Sequence, residues 1–220
     1  MSVRGNELSI VSLGMSCQTA YQIKRQAALL AHLTGAADLR PLTLPFDWVI
    51  RSPGDTVGAI EALSFYPESV REMTLNDGIP YWARRRTFYW HDFDSPDFAA
   101  QFDEVAGKYR HLTDNFVGLG TCRRNVFVIS NVQNNLELHA TRTGSIDIFL
   151  DADTLRATTQ SIARRFPASR NEFLVVSYRD RIAPGIDLPD TRIALFPRDP
   201  SEWEGADALW ASIFRTVLGD

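Results

Sequence analysis

The sequence predicts an α/β fold: a layered, mainly parallel sheet of about five strands flanked by helices, in a single domain. Three observations predict it. Apolar runs of strand length alternate along the chain with amphipathic stretches of helix length. Several of the runs are nearly continuous rather than alternating, as in strands covered on both faces. The chain has 220 residues, 45% of them hydrophobic and 11% aromatic, enough to bury a substantial core.

The predicted strands are Leu8–Leu13, Thr87–Trp90, Val126–Ser130, Phe173–Tyr178 and Arg192–Phe196, and Ile146–Leu150 also has strand character. Helices are expected between them. From Cys17 onward Ala20, Ile23, Ala27 and Leu30 recur at helical spacing, with Lys24, Arg25 and Gln26 on the other side. A long helix is predicted from Pro96 to about Val117, where Phe98, Phe102, Val105, Tyr109, Leu112 and Phe116 form one stripe. Ser95 then Pro96 is a cap followed by a first-turn proline. A third helix is expected over Asp153–Phe166. The last is placed from Ser201, on a Ser-Glu-Trp-Glu capping pattern and a stripe of Trp203, Ala206, Trp210, Ile213 and Val217. The whole of 1–220 reads as one catalytic domain. Within it, 34–86 is an irregular, Pro/Gly-punctuated insertion expected to form pocket walls.

The net charge of −4 argues against a general nucleic-acid binder. No apolar run approaches the roughly eighteen residues of a membrane span. The first residues lack the layout of a signal peptide, and the two cysteines suit a reducing compartment, so a cytoplasmic location is expected. Oligomeric state is not readable. No zinc-ligand spacing, Gly-x-Gly-x-x-Gly or P-loop pattern is present, so none of these metal or phosphate-binding sites is expected.

The chemistry centres on Cys17, which stands where the first strand passes into the first helix. A thiol attacks as thiolate, and a helix N-terminus favours the anion. At an ordinary pKa of ~8.5 only a few per cent is ionised at neutral pH, and a shift to about 6.5 would ionise most of it. Gly14, Ser16 and Gln18 frame this turn, and the amide of Cys17 or Gln18 is a candidate oxyanion donor. His91 follows the strand-like Thr87–Trp90, so strand ends along one sheet edge would bring it to Cys17 as the base. Pro45-Phe46-Asp47-Trp48 is a second feature. Asp47 would orient His91 or bind a substrate donor, with Phe46 and Trp48 excluding water; the other reading is a turn anchored by aromatic packing. Asp92 adjoins His91 and orients it only if the chain turns there. Asn131, just beyond a predicted strand end, is the other candidate for a third member. Arg84-Arg85-Arg86 is either a holder of an anionic substrate or cofactor phosphate, with Arg86 nearest, or a solvated face.

The motifs Ser-Leu-Gly-x-x-Cys ending at Cys17, Pro-Phe-Asp-Trp ending at Trp48 and His-Asp-Phe beginning at His91 occur in that order. The chain in this respect resembles a bacterial family of unknown function described as papain-like cysteine peptidases, over roughly its first 135 residues. The resemblance implies Cys17 as nucleophile and His91 as base. It implies a thiol hydrolase acting through a thioester on a peptide or an acylated small molecule, without a cofactor. Papain's usual oxyanion glutamine is absent at its spacing, since Val11 stands there. Two other readings stand beside it. One is an acyltransferase using coenzyme A on a sugar or polysaccharide precursor, which phosphate binding at Arg84–Arg86 would favour. The other is a non-catalytic binding module on the same fold.

Overall fold

The computed structural model describes residues 8–36, 39, 41–94, 97–198 and 203–218. Its first sheet is parallel. Strands β1 (Leu8–Ser12), β6 (Arg124–Ser130), β7 (Arg170–Tyr178) and β8 (Thr191–Phe196) lie side by side in that order. The register runs Ile10 opposite Val126, Val128 opposite Leu174 and Val176 opposite Ala194. Alternate side chains of these continuous apolar runs go to opposite faces. Phe127, Ile129, Phe173 and Val175 join a core with α3 (Pro53–Ala62), α4 (Phe102–Gly118) and α6 (Ala152–Arg165). Val126, Val128, Leu174 and Val176 join another core with α1 (Cys17–Arg25), α2 (Ala27–Thr34) and α7 (Asp207–Leu218). Helices therefore cover both faces, which is why the strands carry no polar alternation.

A second sheet is antiparallel, in the order β2 (Ile50–Arg51), β5 (Thr87–Phe88), β4 (Ile79–Trp82), β3 (Met73–Asn76). Asn76 pairs with Ile79 across Asp77 and Gly78, whose φ values are +52° and +76°. Positive φ at both central residues is the hairpin turn that matches strand twist, and Asp-Gly is a preferred pair for it. The two sheets meet at Met15. Its amide donates to the Ser130 carbonyl at 2.9 Å and its carbonyl accepts from the Arg51 amide at 3.1 Å. Met15, Ile50, Phe88, Leu136 and Ile146 pack into a small apolar cluster at this joint.

The single five-stranded, mainly parallel sheet expected from sequence is thus corrected to two four-stranded sheets. The predicted strand Thr87–Trp90 keeps only Thr87–Phe88 and pairs antiparallel with β2 and β4, outside the parallel sheet. The 34–86 stretch holds α3 and three strands of the second sheet. Ile146–Leu150 forms only an isolated bridge from Leu150 to Ile182. Side chains take some of its other main-chain groups: Ser52 Oγ accepts from the Asp147 amide, and Asn131 Nδ2 donates to the Ile148 carbonyl.

Three helices also differ from expectation. The first breaks at Gln26 into α1 and α2. The long helix begins at Phe102, since the turns before it close i→i−3 bonds from Gln101 to Phe98 and from Phe102 to Ala99. The last begins at Asp207 because Gly205 has φ +76° and the carbonyls of residues 203–205 are taken by α1. The Ser95-Pro96 and Ser201 start signals lie outside the described residues.

Gly14 makes the sharp approach to α1 possible. A Cβ there would lie 2.1 Å from Thr19 Oγ1 and 2.7 Å from Thr19 Cβ. Gly14→Ala is expected to lower stability by about 1–3 kcal/mol in urea unfolding, the range for overpacking a tight site. Thr19→Ala, which removes the nearer atom, should recover part of the loss.

Candidate functional site

Cys17 and Gln133 come from neighbouring parallel strands. Residues 13–16 carry the chain from β1 into α1, with the Leu13 amide still bonded to the Val128 carbonyl at 2.8 Å. Beyond the end of β6 the chain turns into α5 (Leu136–Thr143), passing Gln133 and Asn135. Both segments leave the carboxyl edge of the sheet, where open α/β sheets place their ligands. The Cys17 thiol donates to Gln133 Oε1 at 3.7 Å, and Gln133 Nε2 donates to Asn135 Oδ1 at 2.6 Å.

The second sheet delivers His91. β5 pairs with β2, β2 is bonded to Met15, and the chain leaving β5 passes Trp90 to His91. Cys17, His91, Gln133 and Asn135 line one cavity of about 180 Å³. Trp48, Ile50, Trp90, His139 and Trp203 complete its wall. Trp48 meets the His91 ring edge-on with centroids 6.0 Å apart, and Trp90 meets His139 at 4.3 Å.

Electrostatics in this cavity favour uncharged groups. Burial pushes the Cys17 thiol up to about 11, against a weaker opposing effect of its own backbone amide. The thiolate that the helix start was expected to favour is therefore not the resting form, because desolvation outweighs the helix-terminal amides. Burial also lowers the His91 imidazole below its ordinary value, with Asp92 opposing and Lys108 adding to the shift. His139 is lowered likewise, by burial first and then by Arg142, with Asp77 opposing. Among the described residues no group of three or more His, Cys, Asp or Glu side chains is placed to hold a metal ion.

Of the residues singled out in the sequence, Cys17, His91 and Trp48 meet in the cavity. The others stand around it or apart from it. The Asp92 carboxylate turns onto α4, taking Lys108 Nζ at 2.5 Å and the Tyr109 hydroxyl at 3.0 Å. Asn131 is fully buried, and its amide donates to the Ile148 and Arg181 carbonyls at 2.8 and 3.0 Å. Gly14 shapes the turn, and Ser16 is the N-cap of α1 without a side-chain cap bond. Gln18 donates to the Trp203 carbonyl at 2.8 Å. Phe46 belongs to the core, edge-on to Phe65 and Phe116. Asp47 is buried beneath the cavity wall, accepting from the Leu44 amide at 3.2 Å and Lys24 Nζ at 3.4 Å. Lys24 in turn lies 5.2 Å from the Trp48 ring centroid. Arg86 is spent on the Ser145 carbonyl at 2.8 Å and on Asp55 at 3.7 Å.

Gln133, His139, Trp90, Ile50 and Trp203 line the cavity without standing out in the sequence as site residues. Gln133 had a usable signal, since it follows the same strand end that suggested Asn131. Trp203 had none, because it reaches the cavity from the far end of the chain. Compared with protein-family models, curated proteins and solved structures, the chain matches none.

Asp47 gives this region a testable pH response. Burial raises its carboxyl to about 6, partly opposed by Lys24 and the Leu44 amide. Between the unfolded value near 4 and this folded value, the native state binds more protons than the unfolded state. Stability should therefore fall as pH rises through that window, by on the order of 3 kcal/mol in all. Urea unfolding at pH 4, 5, 6 and 7 checks this: Asp47→Asn is expected to flatten the fall.

Proposed function

We propose that this protein is a cysteine-dependent acyl hydrolase in which Cys17 is the nucleophile and His91 the general base. One observation carries the reading. Two groups 74 residues apart in sequence, brought by different sheets, line a single small cavity, with a buried amide on the thiol.

The resting pair is neutral thiol and neutral imidazole. His91 takes the Cys17 proton as Sγ attacks the acyl carbonyl, so the charge develops only during the step. The carbonyl electron pair moves onto oxygen. The first-turn amides of α1, left uncapped by the Ser16 side chain, are the donors proposed for that oxyanion. When the tetrahedral species collapses, the leaving group takes the proton from His91 and the acyl group stays on sulfur. Water, deprotonated by His91, then splits the thioester and restores the thiol. Gln133, held by Asn135, fixes the thiol rotamer before attack.

Incubation with p-nitrophenyl acetate should release p-nitrophenol and add one acetyl group to Cys17 by mass spectrometry. His91→Ala is expected to lower kcat/KM by about 10²–10⁴, the usual worth of a general base. Cys17→Ala should show neither turnover nor adduct. If Cys17→Ala hydrolyses the ester as fast as the wild type, the nucleophile assignment falls, and a binding module becomes the better reading.

The pH dependence distinguishes this pair from a preformed thiolate. Because His91 acts as the base only when unprotonated, kcat/KM should rise with pH through an ionisation below the ordinary histidine value. It should then stay level past neutrality, since the thiol ionises only near 11. Iodoacetamide, which needs the thiolate, should modify Cys17 about a hundredfold more slowly than a free cysteine at pH 7.

A further inference from the structure

One wall of the Cys17 cavity is built differently from the rest. Trp48, Ile50 and Trp90 belong to the second sheet and the segments beside it, whereas Trp203 comes from a strap ahead of α7. That strap is held down by side-chain amides of α1. Gln18 Nε2 donates to the Trp203 carbonyl at 2.8 Å, and Gln22 Nε2 donates to the Glu204 carbonyl at 2.8 Å and Asp207 Oδ1 at 3.1 Å. Gln18 and Gln22 stand one helical turn apart on the same face. Gly205 lets the strap lie this close: its φ is +76°, and a Cβ there would sit 3.0 Å from Gln18 Nε2. The Trp203 ring is then fixed edge-on against Tyr21 at 5.3 Å.

The cavity that Trp203 closes is small and uncharged. Its volume of about 180 Å³ lies below the roughly 300–1,000 Å³ of pockets that enclose drug-sized ligands. Three tryptophans and Ile50 make it largely apolar, no lysine or arginine among the described residues lines it, and both of its histidines are pushed toward the neutral form. A carboxylate-bearing acyl group would find no counter-charge there, and the volume suits a short chain better than a peptide residue with its flanking backbone. We infer that the cavity receives a short, neutral acyl group of an ester or thioester, and that Trp203 sets the upper limit on its length. This rests on the proposed acyl transfer to Cys17. In that step the bond from acyl carbon to the leaving oxygen or sulfur breaks as the bond to Sγ forms. The Cys17 proton passes through His91 to the departing alcohol or thiol, and water later releases the carboxylic acid.

The test compares wild type, Trp203→Ala and the conservative Trp203→Phe on p-nitrophenyl acetate, butyrate, hexanoate and octanoate. In the wild type kcat/KM should be greatest for the two shorter esters and fall by more than about tenfold by octanoate, the scale of a steric limit in an apolar pocket. Trp203→Ala should shift the maximum to longer chains, and Trp203→Phe should lie between. A wild type that prefers octanoate, or a chain-length profile unmoved by Trp203→Ala, overturns the inference.

A second arm does not depend on turnover. Iodoacetamide and the bulkier N-phenylmaleimide are applied at alkaline pH, and labelling is read at the Cys17 peptide, apart from Cys122. The bulky reagent should gain much more than the small one on Trp203→Ala. If no ester is hydrolysed, the acyl-transfer reading fails, and with it the substrate class. The labelling then decides alone whether Trp203 limits access to Cys17, and an unchanged ratio of the two rates overturns that limit.

Discussion

Everything at the candidate site hangs on one residue whose main chain serves two sheets. The Met15 amide extends the parallel ladder to Ser130, while its carbonyl holds Arg51 of the antiparallel sheet. Buried main-chain groups must be paired, so this arrangement satisfies both and at once fixes where the second sheet lies. Cys17 follows two residues later at the start of α1, and His91 follows the strand that pairs with Arg51's own. The cavity that Cys17 and His91 both line thus lies beside a joint made of backbone hydrogen bonds and the apolar cluster around Met15. Supports from side chains are added further out. Lys108 and Tyr109 grip Asp92 beside His91, and Lys24 bears on both Asp47 and the face of Trp48.

Two effects compete at Cys17, and their magnitudes decide the protonation state of the thiol. Amides at a helix start favour the anion by at most about 2 kcal/mol in favourable partly buried settings. Removing a charge from water acts more strongly, and here it moves the thiol to about 11. The site is therefore suited to a neutral thiol and a neutral imidazole rather than to a standing ion pair, as the proposed proton transfer requires. A neutral imidazole across the cavity and an amide acceptor on the thiol both belong to that arrangement.

The parallel sheet was legible because its strands are continuous apolar runs, and Leu8–Ser12, Arg124–Ser130 and Arg170–Tyr178 match the runs read from sequence. The second sheet was not, although the Asp77-Gly78 turn between Met73–Asn76 and Ile79–Trp82 carries an ordinary hairpin signature. Its strands are two to four residues long, too short for periodicity to separate them from loop. That gap altered the argument for the site. Cys17 and His91 line the same cavity, yet the reason given for their meeting, a shared edge of one parallel sheet, is replaced by the joint at Met15. Asn131 illustrates the limit from the other side. A strand-edge position says that a side chain is near the site, and its partners alone say that this amide serves the carbonyls of residues 148 and 181.

The joint at Met15 has a consequence for which sequence changes the molecule can absorb. Its two hydrogen bonds use main-chain atoms, so exchanging the side chain at position 15 leaves both in place and alters only the packing around them. Length is another matter. Adding or removing one residue between Met15 and Cys17 would rotate the side chains of α1 by about 100° against the anchored main chain. The Cys17 thiol would then turn away from the cavity it shares with His91. Position 15 constrains only packing, Gly14 admits no side chain, and the number of residues is strict.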